Sequence, residues 1–273
     1  VSYEYRSKAG NVFGQKTFDS FLLINGSVGP FLIGAAVGTF FTGASFSLDE
    51  MNHVTWHNAW RGLEALADFR IISLGLAVLF LSRINGLLFI IKTVDNKSVQ
   101  EWSINRLWAE SIIFLLLFVY FVVSILLASG YSFNPESGLI IPVDNIYLKN
   151  FFSMPAVLIL FLAGVILVIY GIGSALFRNN SSAIWLTATG TFLAVFALFL
   201  IAGFRGTSFY PSNIDPESSL TIGNASSSQF TLKTMMFFSF AVPFIVAYIS
   251  YCWNALTDKK ISGEELDAAG HRY

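Results

Sequence analysis

Residues 226–256 read SSSQFTLKTMMFFSFAVPFIVAYISYCWNAL, a polar start followed by a long apolar run. Ser226 and Gln229 stand three residues apart, which is the spacing of a capping box at the start of a helix. The 23 residues of the stretch 234–256 carry no charged side chain. At about 1.5 Å per residue, a helix of this length crosses a hydrocarbon layer of roughly 30 Å with some tilt. We therefore interpret the stretch as a membrane-spanning helix, with a kink expected at Pro243.

The composition places the whole chain in the same class. Hydrophobic residues make up 55% of it and charged residues only 12%, and 28 residues are phenylalanine. Soluble domains carry roughly a quarter of charged residues, so these values indicate an integral membrane protein. A net charge of -1 gives no basic surface for nucleic acid. The single cysteine, Cys252, excludes a disulfide framework and a cysteine metal site within the chain.

Six apolar runs are long enough to span a bilayer. They occupy residues 20–41, 71–91, 111–129, 151–177, 183–204 and 234–256. The sequence therefore predicts an all-α fold, a polytopic membrane helical bundle of six transmembrane helices in one integral membrane domain (1–273). The polar residues 257–273 are expected to form a cytoplasmic tail.

The distribution of lysine and arginine predicts the orientation of the bundle. Ten cations fall on one side of the alternating segments: Arg6, Lys8, Lys16, Lys92, Lys97, Arg106, Arg178, Lys259, Lys260 and Arg272. Five fall on the other side: Arg61, Arg70, Lys149, Arg205 and Lys233. Because cytoplasmic loops carry the excess of cations, we expect both termini of the chain in the cytoplasm.

Two segments carry a resemblance to a known family. Residues 224–232 (NASSSQFTL), followed by Val242-Pro243, Tyr248 and Cys252, combine a polar cap, a kink and an aromatic-cysteine end. In this order they resemble the last transmembrane helix of subunit II of the cytochrome bd ubiquinol oxidases. Residues 3–8 (YEYRSK) resemble the segment that follows the third transmembrane helix of the same subunit.

The resemblance implies a function and a set of partners. The chain would be a subunit of a respiratory quinol:oxygen oxidoreductase in the bacterial cytoplasmic (inner) membrane, paired as a heterodimer with the haem-bearing subunit I. The b- and d-type haems would belong to that partner, and this chain would support it, with quinol and membrane lipid as further partners and a bound quinone as a candidate ligand. The chain begins with valine and no signal sequence precedes its first span, so we expect a fragment or a processed start that lacks roughly the N-terminal third of the family's length.

The residues themselves offer no catalytic, cofactor-binding or metal-binding site. Haem ligation uses His, Met, Cys or Tyr in a membrane-embedded pocket. The candidate ligands lie outside the spans or near their ends: His53, His57, His271, Met154, Met235, Met236 and Cys252. His53 and His57, with Trp56 and Trp60, have the spacing of an amphipathic helix at the outer interface, which we favour over a metal site because we find no carboxylate on that face.

Arg83 is the charged residue whose position inside a span is most costly. It lies about eight residues inside the predicted cytoplasmic end of the second span, where a cation is costly unless it is paired or reaches water. Glu110 is the only nearby acid, but it is expected near the surface and at marginal reach. We leave two roles open for Arg83 and Glu110, a structural tether and the lining of a proton path.

A polytopic transporter or channel subunit is the alternative function. That class predicts intramembrane acids, broken helices at corresponding positions and an aqueous cavity. The spans show little of this apart from Arg83, Asn85 and Pro243. The oxidase subunit is therefore the leading interpretation.

Overall fold

The computed structural model describes residues 2–6, 8, 11–178, 180, 182–257 and 261–262. Within these ranges six helical segments are long and apolar enough to cross a membrane. The predicted fold class, an all-α polytopic membrane bundle, is confirmed. Of the predicted tail, positions 258–260 and 263–273 lie outside the described residues.

Short helices, short strands and turns connect the long helices of the described chain. The helices are α1 (Ser2–Tyr5), α2 (Gln15–Thr42), α3 (Phe69–Thr93), α4 (Lys97–Leu126), α5 (Ile146–Ser153), α6 (Pro155–Arg178), α7 (Ala183–Gly203), α8 (Ile222–Ala225), α9 (Gln229–Ser239) and α10 (Val242–Thr257). The strands are β1 (Phe46–Leu48), β2 (Val54–Trp56), β3 (Val94–Asp95), β4 (Gly130–Phe133), β5 (Ile140–Val143) and β6 (Ile261–Ser262). Two 3₁₀ turns cover Leu63–Ala67 and Pro216–Ser218.

Two helices differ from the predicted spans for identifiable reasons. The span predicted at 111–129 belongs to α4, which begins already at Lys97 because the Asn96 side chain accepts from the backbone N–H groups of Ser98 and Val99. The span predicted at 151–177 is divided, since α5 ends at Ser153 and α6 begins at Pro155. Proline lacks the N–H that would continue the preceding helix, and it is well tolerated in a first turn.

The start of the last span is capped differently from the prediction. Ser228, not Ser226, is the N-cap of α9, and its hydroxyl accepts from the Thr231 N–H at 3.3 Å. The Ser226 hydroxyl instead donates to the carbonyl of Ile222 in the preceding helix α8. The predicted capping box of Ser226 and Gln229 is therefore wrong. The break expected near Pro243 is present, because α9 ends at Ser239 and α10 begins at Val242.

Glycines set the closest approaches between helices. A Cβ atom built on Gly34 of α2 would lie 2.9 Å from Cα of Gly75 in α3. A Cβ atom on Gly164 of α6 would lie 2.6 Å from the backbone nitrogen of Ala194 in α7. In the same contact, a Cβ atom on Gly190 of α7 would lie 2.6 Å from the carbonyl oxygen of Gly164. Real Cβ atoms essentially never approach so closely, so these positions require glycine.

The three longer loops meet at one end of the bundle, which we call the loop end (residues 43–68, 127–154 and 204–228). Isolated bridges join Ala44 to Ser212 and Ser132 to Thr207. At the opposite end, β3 pairs in parallel with β6, so the segment after α10 lies beside the turn between α3 and α4. The α9–α10 span has no buried residue in its most apolar window, unlike the other five spans.

Candidate functional site

An acid and two arginines form a compact charged cluster between α3 and α4, which we call the Arg-Glu-Arg cluster (Arg83, Glu110 and Arg106). Nη2 of Arg83 donates to Oε1 of Glu110 at 2.6 Å, and Nε of Arg106 donates to the same oxygen at 3.0 Å. The Glu110 side chain is 3% exposed, whereas those of Arg83 and Arg106 are 38% and 52% exposed. A buried carboxylate is thus compensated by two half-exposed cations.

Helix geometry explains how these residues meet. Arg106 and Glu110 are four residues apart on α4 and therefore share one face of it. Helix α3 packs closely along α4, and the Ser73 hydroxyl donates to the carbonyl of Leu117 at 2.8 Å across this contact. The expectation that Glu110 lies near the surface at marginal reach of Arg83 is wrong. Arg106 was not predicted as a member of the site, although its spacing from Glu110 is the signal that could have found it.

The cluster lies close to the level of the turn between α6 and α7. The Trp108 ring, two residues before Glu110, contacts the ring of Phe177 with centroids 5.4 Å apart. Phe177 is the next-to-last residue of α6. The hairpin of α3 and α4 continues for several turns past this level with Lys97 and Glu101, so the cluster sits toward the polar boundary of the bundle.

Helices α3 and α4 carry several buried polar atoms without a partner. Among the described residues, Oε2 of Glu110 and the hydroxyls of Ser103 and Ser111 are buried without a hydrogen-bond partner, as is Oδ1 of Asn85 on α3. Ser103 and Glu110 are seven residues apart and lie on the same face of α4. Buried polar atoms normally find partners, and an unpaired group is a mark of a functional or hydrated position.

An apolar cavity of about 180 Å³ lies nearer the middle of the bundle. Side chains of α2, α3, α4, α6 and α7 line it, and Thr191 is its single hydroxyl-bearing residue among those that the structure describes. The Thr191 hydroxyl already donates to the carbonyl of Thr187. The cavity therefore suits an aliphatic group and presents no free donor to a polar head group.

A comparison with known proteins identifies the family. Residues 1–256 match the family described as cytochrome bd terminal oxidase subunit II. The chain belongs to this family. The resemblance of the segments at 3–8 and 224–252 to cytochrome bd oxidase subunit II is thereby confirmed.

Individual members of the cytochrome bd oxidase subunit II family align with nearly the whole chain. The "Probable cytochrome oxidase subunit 2" of Haemophilus influenzae is 25% identical over 265 residues, covering 92% of this chain and 67% of that protein. The "Cytochrome bd-I ubiquinol oxidase subunit 2" of Escherichia coli K12 is 23% identical over 282 residues, covering 99% of this chain and 73% of that protein.

Two candidate haem ligands, His53 and His57, lie in a loop and already have partners. His53 and His57 lie in the hairpin of β1 and β2, not in a helix, so the predicted amphipathic helix across His53 and Trp60 is wrong. His53 Nδ1 is 2.9 Å from Asp49 Oδ2, a carboxylate partner that the sequence analysis missed, and His57 Nε2 is 2.8 Å from the Ser47 hydroxyl. Hydrogen bonds from the backbone N–H and ring of His53 lower the pKa of Asp49.

The remaining candidate ligands also fail to form a haem pocket. Met154 lies between α5 and α6, and the side chains of Met235 and Met236 are exposed on α9. Cys252 lies on α10 and is partly exposed, and His271 lies outside the described residues. No group of three or more His, Cys, Asp or Glu side chains comes together within the part of the chain that the structure describes. The described side chains therefore do not fit an axially ligated haem in this subunit.

A buried polar network at the loop end was not predicted from the sequence. Nδ2 of Asn150 on α5 donates to the carbonyl of Ile201 and to the Thr207 hydroxyl, both at 2.8 Å. The Tyr147 hydroxyl donates to the carbonyl of Phe41 at 3.2 Å, and burial raises the pKa of this tyrosine. These bonds tie α5 to the ends of α2 and α7, and we assign them to the structure of the loop end.

Proposed function

We propose that this chain is the non-haem subunit of a cytochrome bd-type quinol oxidase. The observation that carries the proposal is the family match across residues 1–256. In the proposed complex, quinol is oxidised and dioxygen is reduced at b- and d-type haems held by the partner, subunit I, and this chain supports that partner. The family membership favours this function over a transporter or channel subunit.

The position of the histidines supports a non-haem role. His53 and His57 belong to the hairpin at the loop end, where Asp49 and Ser47 occupy one nitrogen of each ring. In the proposed complex, side chains of the partner are therefore the axial ligands of the haem irons. The contribution of this chain is therefore packing around the haem-bearing subunit. A bound quinone remains a candidate ligand of the complex.

The exposed helical surfaces support association with another membrane subunit. Aromatic side chains of the last span, including those of Phe237, Phe238 and Phe244, are more than half exposed. In a membrane such surfaces are covered by lipid or by neighbouring helices. We infer that part of this surface contacts the haem-bearing partner and that lipid covers the rest.

For the Arg-Glu-Arg cluster, both roles considered from the sequence are retained as proposals. As a tether, the two guanidiniums neutralise a carboxylate that joins α3 to α4. As part of a proton path, the unpaired Oε2 of Glu110 is the atom that would exchange a proton. The two roles differ in one respect, since only the second predicts a properly assembled complex with slow oxygen reduction when Arg83 is replaced.

The proposed orientation has both termini of the chain in the cytoplasm and the loop end outside, in the bacterial inner membrane. It rests on the ten-to-five bias of lysine and arginine between the two sides. The position of β6 beside the turn between α3 and α4 agrees with it. We expect a reporter that is active only in the cytoplasm to be active when fused to the C-terminus and inactive when inserted at Asn58. The reverse pattern would contradict the orientation.

Enzymatic turnover tests the proposed function. The chain is expressed with its partner, carrying an affinity tag, and the complex is purified in mild detergent. We expect oxygen consumption that requires added ubiquinol and that co-purifies with the tag. The same tagged chain expressed without the partner is the control and should show none. A homogeneous complex with another membrane protein that consumes no oxygen with any quinol would contradict the proposal.

A further inference from the structure

We propose that Arg83 and Arg106 bind the phosphate group of an anionic phospholipid, with Glu110 holding both guanidiniums in position. The proposal concerns ligand binding at the Arg-Glu-Arg cluster and does not rest on the oxidase function. It follows from the unused donors of the cluster, its fixed geometry, its depth in the bundle and the apolar surface beside it.

Within the described chain, the two arginines leave most of their hydrogen-bond donors free. Arg83 donates through one Nη2 group and Arg106 through Nε, both to Oε1 of Glu110. Within the described ranges, the other N–H groups of the two guanidiniums donate to no protein acceptor. A guanidinium presents five donors in a planar fork that matches the oxygens of a phosphate. The cluster carries two cations and one anion, so it retains a charge that an anionic ligand would neutralise.

The buried carboxylate of Glu110 fixes the geometry of these donors. The Glu110 carboxylate is almost fully buried, whereas more than a third of each arginine side chain is exposed. One buried anchor therefore orients two guanidiniums whose outer edges are accessible from the surface of the bundle. Because ordering flexible side chains opposes binding, a pair that is ordered beforehand binds a shared anion more tightly than two independent surface arginines.

The Arg-Glu-Arg cluster lies at a depth that suits a lipid headgroup. The contact between Trp108 and Phe177 places the cluster near the end of α6, which is the boundary between apolar helix and polar turn. Exposed tryptophans such as Trp108 and Trp102 are typical of the headgroup level of a membrane. A phospholipid phosphate at this depth lies within reach of long cationic side chains.

An apolar surface beside the cluster suits the acyl chains that distinguish a lipid from a free anion. Ile113 lies seven residues after Arg106 and therefore on the same side of α4, in the direction of the bundle centre. Ile113 and Leu116 are both exposed on α4, where they present an apolar surface. A phosphate between the two arginines would leave its acyl chains along this apolar surface.

A titration of the purified complex with short-chain lipid tests the proposal. The probe is dioctanoyl phosphatidylglycerol, added to complex that has been stripped of lipid by detergent, and the readout is the apparent Kd from the thermal shift. We expect Arg106→Gln to weaken binding roughly tenfold or more, because it removes charge-assisted hydrogen bonds. Arg106→Lys should weaken binding less, since it keeps the charge and loses the fork. Lys97→Gln, in the first turn of the same helix, is the matched control and should bind as the wild type.

Two further ligands test whether the net charge and the acyl chains of the lipid both contribute to binding. Dioctanoyl phosphatidylcholine, which has the same chains and no net charge, should bind more weakly than phosphatidylglycerol. Inorganic phosphate alone should bind more weakly too, because it lacks the apolar chains. Equal affinity for inorganic phosphate and phosphatidylglycerol would overturn the lipid assignment, and equal affinity of wild type and Arg106→Gln for phosphatidylglycerol would overturn the site. The assay needs no turnover, so its failure is distinct from failure of the oxidase proposal.

Discussion

The double variant Arg83→Leu/Arg106→Leu is expected to lose most of the assembled complex. It leaves the buried carboxylate of Glu110 without a counter-charge, and removing the partner of a buried charge typically costs about 3–5 kcal/mol. We place the effect toward the lower end of that range, because both arginines are half exposed and water partly screens the cluster. The measurement is the yield of complex and its unfolding midpoint in mild detergent.

The single and triple variants provide the controls for this expectation. Each single replacement leaves one guanidinium on Oε1 of Glu110, so each should cost less than the double variant, about 1.5 kcal/mol, the lower end for a hydrogen bond to a charged group. The triple variant, in which Glu110 also becomes leucine, removes every charge and should recover much of the lost stability. If the double variant is as stable as either single variant, the cluster does not stabilise the fold.

Turnover of the single variant Arg83→Leu separates the two proposed roles of the cluster. A tether predicts a reduced yield of assembled complex and normal turnover per assembled complex. A proton path predicts normal assembly with slowed oxygen reduction. Arg83→Lys should rescue assembly only in part, because an ammonium group cannot reproduce the planar fork of arginine. Wild-type behaviour of both variants would remove Arg83 from the functional residues.

The second large effect is expected at the contact between α6 and α7. Gly164→Val should force the two helices apart, because even the first added carbon would lie 2.6 Å from the backbone nitrogen of Ala194 and 2.7 Å from the carbonyl oxygen of Gly190. Backbone atoms cannot move aside as a flexible side chain can, and overpacking typically costs about 1–3 kcal/mol or more. We expect a marked fall in the unfolding midpoint and in the yield of complex.

Gly173 provides a matched control for this prediction. It lies on the same helix α6, and a Cβ atom added there meets nothing within 4 Å. Gly173→Ala should therefore be neutral or slightly stabilising, by at most about 1 kcal/mol, because alanine favours a helix over glycine. Equal losses at Gly164 and Gly173 would mean that α6 is sensitive along its whole length and that the close contact is not the cause.

Hydropathy predicted the long helices well because a membrane span is a local property of the sequence. A run of about 20 apolar residues has few alternatives in a bilayer, since every backbone polar group must be paired within the segment. The prediction failed where pairing is non-local. His53, Trp56, His57 and Trp60 have helical spacing, yet β2 pairs with β1, and the turns before and after it place Asn52 and Arg61 at positive φ angles of 61° and 47°.

Only part of the Arg-Glu-Arg cluster could be predicted from local sequence. The cost of a cation within a span singled out Arg83 without knowledge of the fold. Glu110 was misplaced because the apolar run was taken to begin at 111, whereas α4 begins at Lys97 and Glu110 lies in its fourth turn. The charged first turns of α4 lower the local hydropathy and conceal the true start of the helix. The separation of Arg83 and Glu110 in space depends on the packing of α3 on α4, which no local pattern specifies.

The absorption spectrum of the complex purified through this chain shows whether the haems belong to the partner. The tagged chain is co-expressed with its partner and isolated in mild detergent, and the reduced-minus-oxidised spectrum is compared with that of the chain purified alone. We expect b- and d-type haem bands in the complex and no stoichiometric haem in the isolated chain. A stable Soret band in the isolated chain that disappears when His53 or His57 is replaced would contradict it, as would a stable complex without haem.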